Sequence, residues 1–218
     1  MPKIALTEIP KDNSMSATFE IVTPMFIGDA NQQATAIRPT AIKGALRFWW
    51  RAMNGHLSTS ELAKEEGRLF GSTDGAGVFS LSVTSNNTFQ AHTDWPPKDA
   101  NNSSSYMGYG LTGDQQNKHR NYIPAGIHFD VSLTFDPKAG TSDKALIQKA
   151  LEAFGLFGSL GSRARRGFGS VQLINLNGNN FINITQPQIK QWLKYNLHST
   201  LKKQDQIAFT AFSADSLS

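Results

Sequence analysis

An α+β fold is what this sequence predicts, and three observations carry it. Segments with apolar residues at every second position recur along the chain, as in "SATFEIVT" and "IHFDVSLTF". Between them lie segments with apolar residues at i, i+3, i+4 and i+7, as in "LRFWWRAM". The two kinds follow the order strand, helix, strand, strand, helix, strand. That is the ferredoxin-like (RRM-like) βαββαβ pattern, a four-stranded antiparallel sheet with two helices on one face.

The first strand is "SATFEIVT", with Ala17, Phe19 and Ile21 on one face, and Pro24 ends it. After a mixed loop, "TAIKGALRFWWRAMNG" predicts a helix with Thr40 as N-cap and Gly55 as stop. Leu46, Trp49, Trp50 and Met53 form its apolar stripe, which assigns both tryptophans to the core rather than to base stacking. Lys43, Arg47 and Arg51 form a basic stripe on another face. "TSELAKEEGRLFGS" is a second short helix, opened by Ser58 or Thr59. "GVFSLSVT" is the second strand and "IHFDVSLTF" the third. From about 86 to 125 the chain is polar and rich in Asn, Ser, Gly and Pro, too long for an idle connection. Ser142 caps a helix with Ile147, Ala150, Leu151 and Phe154 on one face, and "SVQLINL" is the fourth strand. Residues 1–176 thus read as one domain with an insertion at 86–125. Residues 177–218, with a helix in "PQIKQWLKYNLHSTLKK" and a strand in "IAFTAFS", read as an extension or the start of a truncated second ferredoxin-like domain.

The chain has 218 residues, no cysteine and a formal net charge of +4. Disulfides and thiolate metal sites are excluded, and a reducing compartment is expected. No signal peptide and no membrane-length apolar run is visible, so a cytoplasmic protein is expected. The charge is segregated. No acid lies between Asp29 and Glu61, where Arg38, Lys43, Arg47 and Arg51 fall, nor between Glu152 and Asp205, where Arg163, Arg165 and Arg166 fall. Such segregation suits a polyanion-binding face or, as plainly, a solubilising surface.

The most site-like stretch is "GSLGSRARRGFGS". Gly161, Gly167 and Gly169 let backbone amides approach an anion, and the forks of Arg163, Arg165 and Arg166 suit phosphate. A nearby helix C-terminus accounts for part of this basic charge without a ligand. "GYGLTG" matches a dinucleotide fingerprint in letters only, since no strand precedes it. No metal spacing is visible among the histidines, and no cofactor is called for. Asp29 admits two readings, a metal-assisted general base or a turn residue in "GDA". His119, in "NKHRNY", admits a catalytic role or plain exposure on a loop.

Three stretches together carry a family resemblance: "TPMFIGDANQQATAIRPTAIKGALRFWWRAM", "LFGS" and "GSRARRGFGS". They resemble the RAMP superfamily of CRISPR-associated RNA-binding proteins, above all a subunit family of the type III-B Cmr effector complex. The pattern R-P-x-x-x-K/R-G-x-L-R-F-W-x-R is met by Arg38, Pro39, Lys43, Gly44, Leu46, Arg47, Phe48, Trp49 and Arg51. The glycine-rich pattern S-R-x-R-R-G-F-G-S is met in full and includes Phe168. The resemblance implies a non-catalytic subunit of a crRNA-guided ribonucleoprotein, with crRNA, target RNA and other Cmr or RAMP subunits as partners and no DNA or membrane. RNA contacts are expected from Arg38, Lys43, Arg47 and Arg51 on the first helix, and from Gly161, Arg163, Arg165, Arg166, Gly167, Phe168 and Gly169 on the loop. The alternative is a RAMP endoribonuclease, processing crRNA through His119 or cleaving target RNA with a metal through Asp29.

Overall fold

The computed structural model describes residues 13–28, 33–34, 36–85, 90–95, 106–111, 120–182 and 184–201. Along the chain run β1 (Ser14–Ile21), α1 (Pro39–Met53), α2 (Thr59–Phe70), β2 (Gly71–Ser72), β3 (Gly75–Ala76), β4 (Phe79–Ser85), β5 (His128–Phe135), α3 (Thr141–Phe157), β6 (Val171–Leu176), β7 (Asn179–Asn180) and α4 (Gln186–Leu201). The main sheet is antiparallel with the order β4-β5-β1-β6-β7. It has five strands rather than the four read from the sequence. The fifth arises from a two-residue turn, Asn177-Gly178, in which both residues have positive φ (51° and 85°). Asn-Gly is the residue pair that such a hairpin turn favours, so β7 folds back on β6.

Alternation places Met15, Ala17, Phe19 and Ile21 of β1 and Phe129, Val131, Leu133 and Phe135 of β5 on one buried face. The α1 and α3 helices pack there, with Phe154 of α3 5.1 Å from Phe19 between ring centres. Gly155 makes this approach possible, because a Cβ at that position meets the Leu173 backbone at 3.0 Å. The C-terminal helix α4 joins the same core through Leu193 and Leu197, and the Trp192 indole donates to Glu152 of α3 at 2.7 Å. The expected final strand, "IAFTAFS", lies outside the described residues.

Two expected caps are placed differently. Arg38, not Thr40, is the N-cap of α1, because Pro39 fits the first helical position where no N–H is needed. Asn54 is the C-cap of α1, which puts Gly55 just past the helix end, where the stop was expected. Gly140, not Ser142, is the N-cap of α3, and its N–H donates to Asp143 at 3.2 Å. At α2 the capping box is complete: Ser58 and Glu61 each accept from the other's backbone N–H.

The opposite face of the sheet is polar. It carries Ser16, Thr18 and Glu20 of β1, Ser80, Ser82 and Thr84 of β4, and His128, Asp130 and Ser132 of β5. Thr18 donates to Asp130 at 2.6 Å. Of the residues named, only His128 carries an aromatic ring, and its side chain lies 3.7 Å from Glu20.

Candidate nucleic-acid interface

The arginine loop leaves α3 and returns to β6 as a closed excursion. Its base is clamped by backbone bonds from Leu160 N to Gly169 O (2.9 Å) and from Val171 N to Gly158 O (3.1 Å). Its flank is tied to the chain after β1, where Ser162 N donates to Phe26 O (2.8 Å) and Gly169 N to Pro24 O (2.9 Å). Gly161 has φ 88°, and a Cβ there sits 2.5 Å from the Phe26 carbonyl oxygen. Gly169 has φ 64°, and a Cβ there collides with the Leu160 carbonyl. Both glycines are thus required for the loop's close approach to its own chain. Between them, a 3-10 turn at Ala164–Arg166 is flanked by two left-handed residues, Arg163 (φ 59°) and Gly167 (φ 85°).

Phe168 anchors the loop from beneath. It is 4% exposed and belongs to a second, smaller core with Phe26, Leu111 and Tyr122, against which Trp95 packs. Its ring meets those of Phe26 and Trp95 edge-on, at 5.6 and 5.1 Å. Its side chain holds the loop and faces no solvent. The described parts of the polar excursion dock on this core. Arg163 Nη2 donates to the Tyr109 carbonyl oxygen at 2.6 Å, and Arg120 Nη1 to Ser162 Oγ at 2.9 Å. Tyr122 donates to Asp94 at 2.7 Å. Burial, reinforced by that carboxylate, pushes the Tyr122 phenol up to about 12, and the same bond holds the Asp94 carboxyl below its ordinary range.

Arg165 and Arg166 are exposed, and among the described residues neither side chain has a hydrogen bond or ion pair. Arg165 borders an open cleft of about 540 Å³. One wall is the loop, with Ser159, Leu160, Gly161, Ala164 and Arg165; the other is Ala41, Ala45, Phe48 and Trp49 of α1, with Phe157 between them. The two motifs paired in the sequence therefore meet across a single cleft. Exposed Tyr106 and Tyr109, 76% and 74% accessible, sit beside the loop on the docked segment.

The basic stripe of α1 faces elsewhere. Arg51 Nη1 reaches both carboxylate oxygens of Glu66 on α2 at 2.8 and 2.9 Å. Arg47 donates to the Gly71 carbonyl, lies 3.6 Å from Glu66 and stacks over Phe70. Lys43 lies over the Phe79 ring at 5.4 Å, and burial, then Arg47, lowers its pKa. These three side chains join α1 to α2 and to the start of β4. Arg38, at the α1 N-terminus, is exposed and donates to the Gly28 carbonyl oxygen at 3.3 Å. The tryptophans divide: Trp50 is 1% exposed and core, whereas Trp49 is half-buried on the cleft wall.

Sequence reasoning missed Phe157, Arg120, Tyr106 and Tyr109. The tyrosines had a signal, two aromatics in a polar stretch; Phe157 and Arg120 join the site only through tertiary contacts. Asp29 and His119 lie outside the described residues. Among the described residues no cluster of three His, Asp or Glu side chains could hold a metal, and no helix is long and apolar enough to cross a membrane.

Comparison with known proteins adds a lineage. The family model of the RAMP superfamily matches residues 18–172. The Cmr1-2 subunit of the Pyrococcus furiosus CRISPR Cmr system is 27% identical over 171 residues, covering 71% of this chain and 91% of that protein. Cmr1-1 of the same organism is 29% identical over 143 residues, and there the match spans 63% of this chain and 40% of the relative. The crystal structure of apo Cmr1 from Pyrococcus furiosus superposes with a TM-score of 0.67 at 23% identity, over 91% of this chain and 62% of that one. A chain of the type III-B Cmr-beta complex bound to cognate target RNA gives 0.59 at 15% identity, over 84% and 61%. This chain is thus similar in fold to Cmr1 and spans under two thirds of each of these two solved chains. With the family model spanning its first strand to its fourth long one, and the arginine loop between, the chain belongs to the RAMP superfamily.

Proposed function

We propose that this chain is a non-catalytic RNA-binding subunit of a crRNA-guided type III-B Cmr effector complex. It holds the backbone of guide or target RNA and helps capture the target in antiviral defence. The observation that carries this reading is the pair Arg165 and Arg166: exposed, unneutralised by any described acid, and presented on a loop whose base is fixed by backbone bonds. Guanidinium forks in that setting bind phosphate bidentately. Arg38 extends the basic track at the positive end of α1. Gly161, Gly169, Phe168 and Arg163 hold the loop in place, Gly167 gives it its second left-handed corner, and Lys43, Arg47 and Arg51 brace α1 against α2. Similarity to the Cmr1-2 subunit of a Cmr system supports such a complex and its other subunits as partners; crRNA as the guide is part of the same proposal. The order β4-β5-β1-β6 supports a ferredoxin-like domain over 1–176, with β7 appended. The burial of Leu193 and Leu197 in its core supports the reading of 177–201 as an extension of that domain.

Filter binding of single-stranded RNA across a salt series tests it. Arg165→Ala/Arg166→Ala should lower affinity at least tenfold at ~0.1 M salt and flatten the log–log salt slope by about 1.4. A folded double variant that binds like the parent overturns the assignment.

A further inference from the structure

The cleft between α1 and the arginine loop has no part in a purely phosphate-holding surface, yet it is built. Ala41 and Ala45, four residues apart on α1, keep one wall low. Phe48, Trp49 and Phe157 supply aromatic surface. Phe48 and Trp49 stand edge to face at 5.2 Å and 89°, and Trp49 lies 5.8 Å from Phe157 at 42°. Arg165 sits on the opposite wall, and among the described residues no acid lines the cleft. The volume, about 540 Å³, falls in the range of small-ligand sites. A purely apolar partner side chain leaves the Arg165 charge with nothing to do. A strand that carries phosphates and presents flat aromatic heads matches both halves of the site.

We propose that this cleft is a base pocket: it receives one unpaired nucleobase of the bound RNA, stacked against the Phe48–Trp49 corner, while Arg165 holds the adjoining phosphate. The inference rests on the RNA-binding reading above and names the part of the RNA that the site takes. It requires the local strand to be single, because a paired base cannot leave its stack without an unpairing cost. A fully paired duplex therefore occupies the arginines and leaves the cleft empty.

The test uses the full chain and three probes: single-stranded oligouridylate, the same strand with abasic residues throughout its centre, equal to it in length and charge, and a blunt RNA duplex of that length. Three proteins are compared: parent, Ala45→Trp, which fills the cleft without touching a charge, and Arg165→Ala/Arg166→Ala. The parent should prefer the base-bearing strand over the abasic one by about tenfold, in keeping with one stacked base. Ala45→Trp should erase that preference and retain abasic and duplex binding. The arginine variant should lose affinity for all three probes. Equal parent affinity for base-bearing and abasic strands, or an undiminished preference in folded Ala45→Trp, overturns the pocket and leaves the backbone reading standing. Failure of the parent to bind any probe overturns the backbone reading, and the pocket with it. Phe48→Ala serves as a second variant should Ala45→Trp not fold, and the same loss of base preference is expected from it.

Discussion

Arg163 and Tyr109 are joined by a 2.6 Å hydrogen bond from guanidinium to backbone carbonyl, across a separation of 54 residues. The bond ties the polar excursion to the arginine loop, and it gives Arg163 a structural role within that loop. Arg163→Ala should lower stability by about 1–2 kcal/mol in denaturant melts and speed proteolysis within 106–111. Arg163→Gly, which suits the left-handed backbone at φ 59°, should recover part of the stability and none of the protease protection.

Arg51 and Glu66 should behave as a brace. Arg51→Ala leaves Glu66, whose side chain is 14% exposed, with the more distant Arg47 alone. Because Arg51 itself is a third exposed, the coupling between Arg51→Ala and Glu66→Ala in a double-mutant cycle should be about 1 kcal/mol. RNA affinity of the folded Arg51→Ala protein should fall by less than about threefold, against at least tenfold for the Arg165/Arg166 pair.

Substituting the loop glycines with alanine should give a fixed order of damage. At Gly161 and Gly169 a Cβ runs into the carbonyl of Phe26 or of Leu160, and φ is positive as well. At Gly167 the space is open and only the φ of 85° objects. Gly167→Ala should cost about 1 kcal/mol in a thermal melt, and each of the other two clearly more, with loss of RNA binding even where the domain stays folded.

The two ends of the pH scale probe different contacts. Tyr122 has a folded pKa raised to about 12, above the ordinary tyrosine value near 10. Its contribution to stability is therefore whole below pH ~10 and lost as pH rises from there toward 12. Ultraviolet titration should show one phenol ionising late, and Tyr122→Phe should remove that step. Asp143 is the opposite case: a hydrogen bond from Arg68 holds its carboxyl below the ordinary range. Its contribution is present above that ordinary range and is lost as pH falls through the lowered value. Arg68→Ala should make the acid limb of the stability curve shallower.

Alternation made the four long strands legible, because one residue in two had to be buried. The α1 stripe was equally plain, but which neighbour each face meets is not written in a period. Lys43, Arg47 and Arg51 share a face, as their spacing says; that this face meets Glu66, Gly71 and Phe79 depends on where α2 turns. The sequence offers the glycines of the arginine loop as openings for a ligand; at Gly161 and Gly169 the chain's own carbonyls fill the opening. The Asn177-Gly178 hairpin has a local signal, since Asn-Gly is the pair that a two-residue turn with positive φ favours. Phe168, Phe26, Tyr122 and Trp95 could not be joined in advance, because nothing local ties four aromatics so far apart.

That second core also fixes when the site can exist. Phe26 leaves β1 early in the chain, Trp95 and Tyr122 follow, and Phe168 arrives only after α3. Contacts this distant are closed late in folding, since the loop entropy must be met before they return anything. A chain emerging from the ribosome, with β1 and α1 already made, has no seat for its arginines. The loop acquires its shape only when Phe168 drops into place, so the surface that Arg165 and Arg166 present is withheld until the domain is essentially complete.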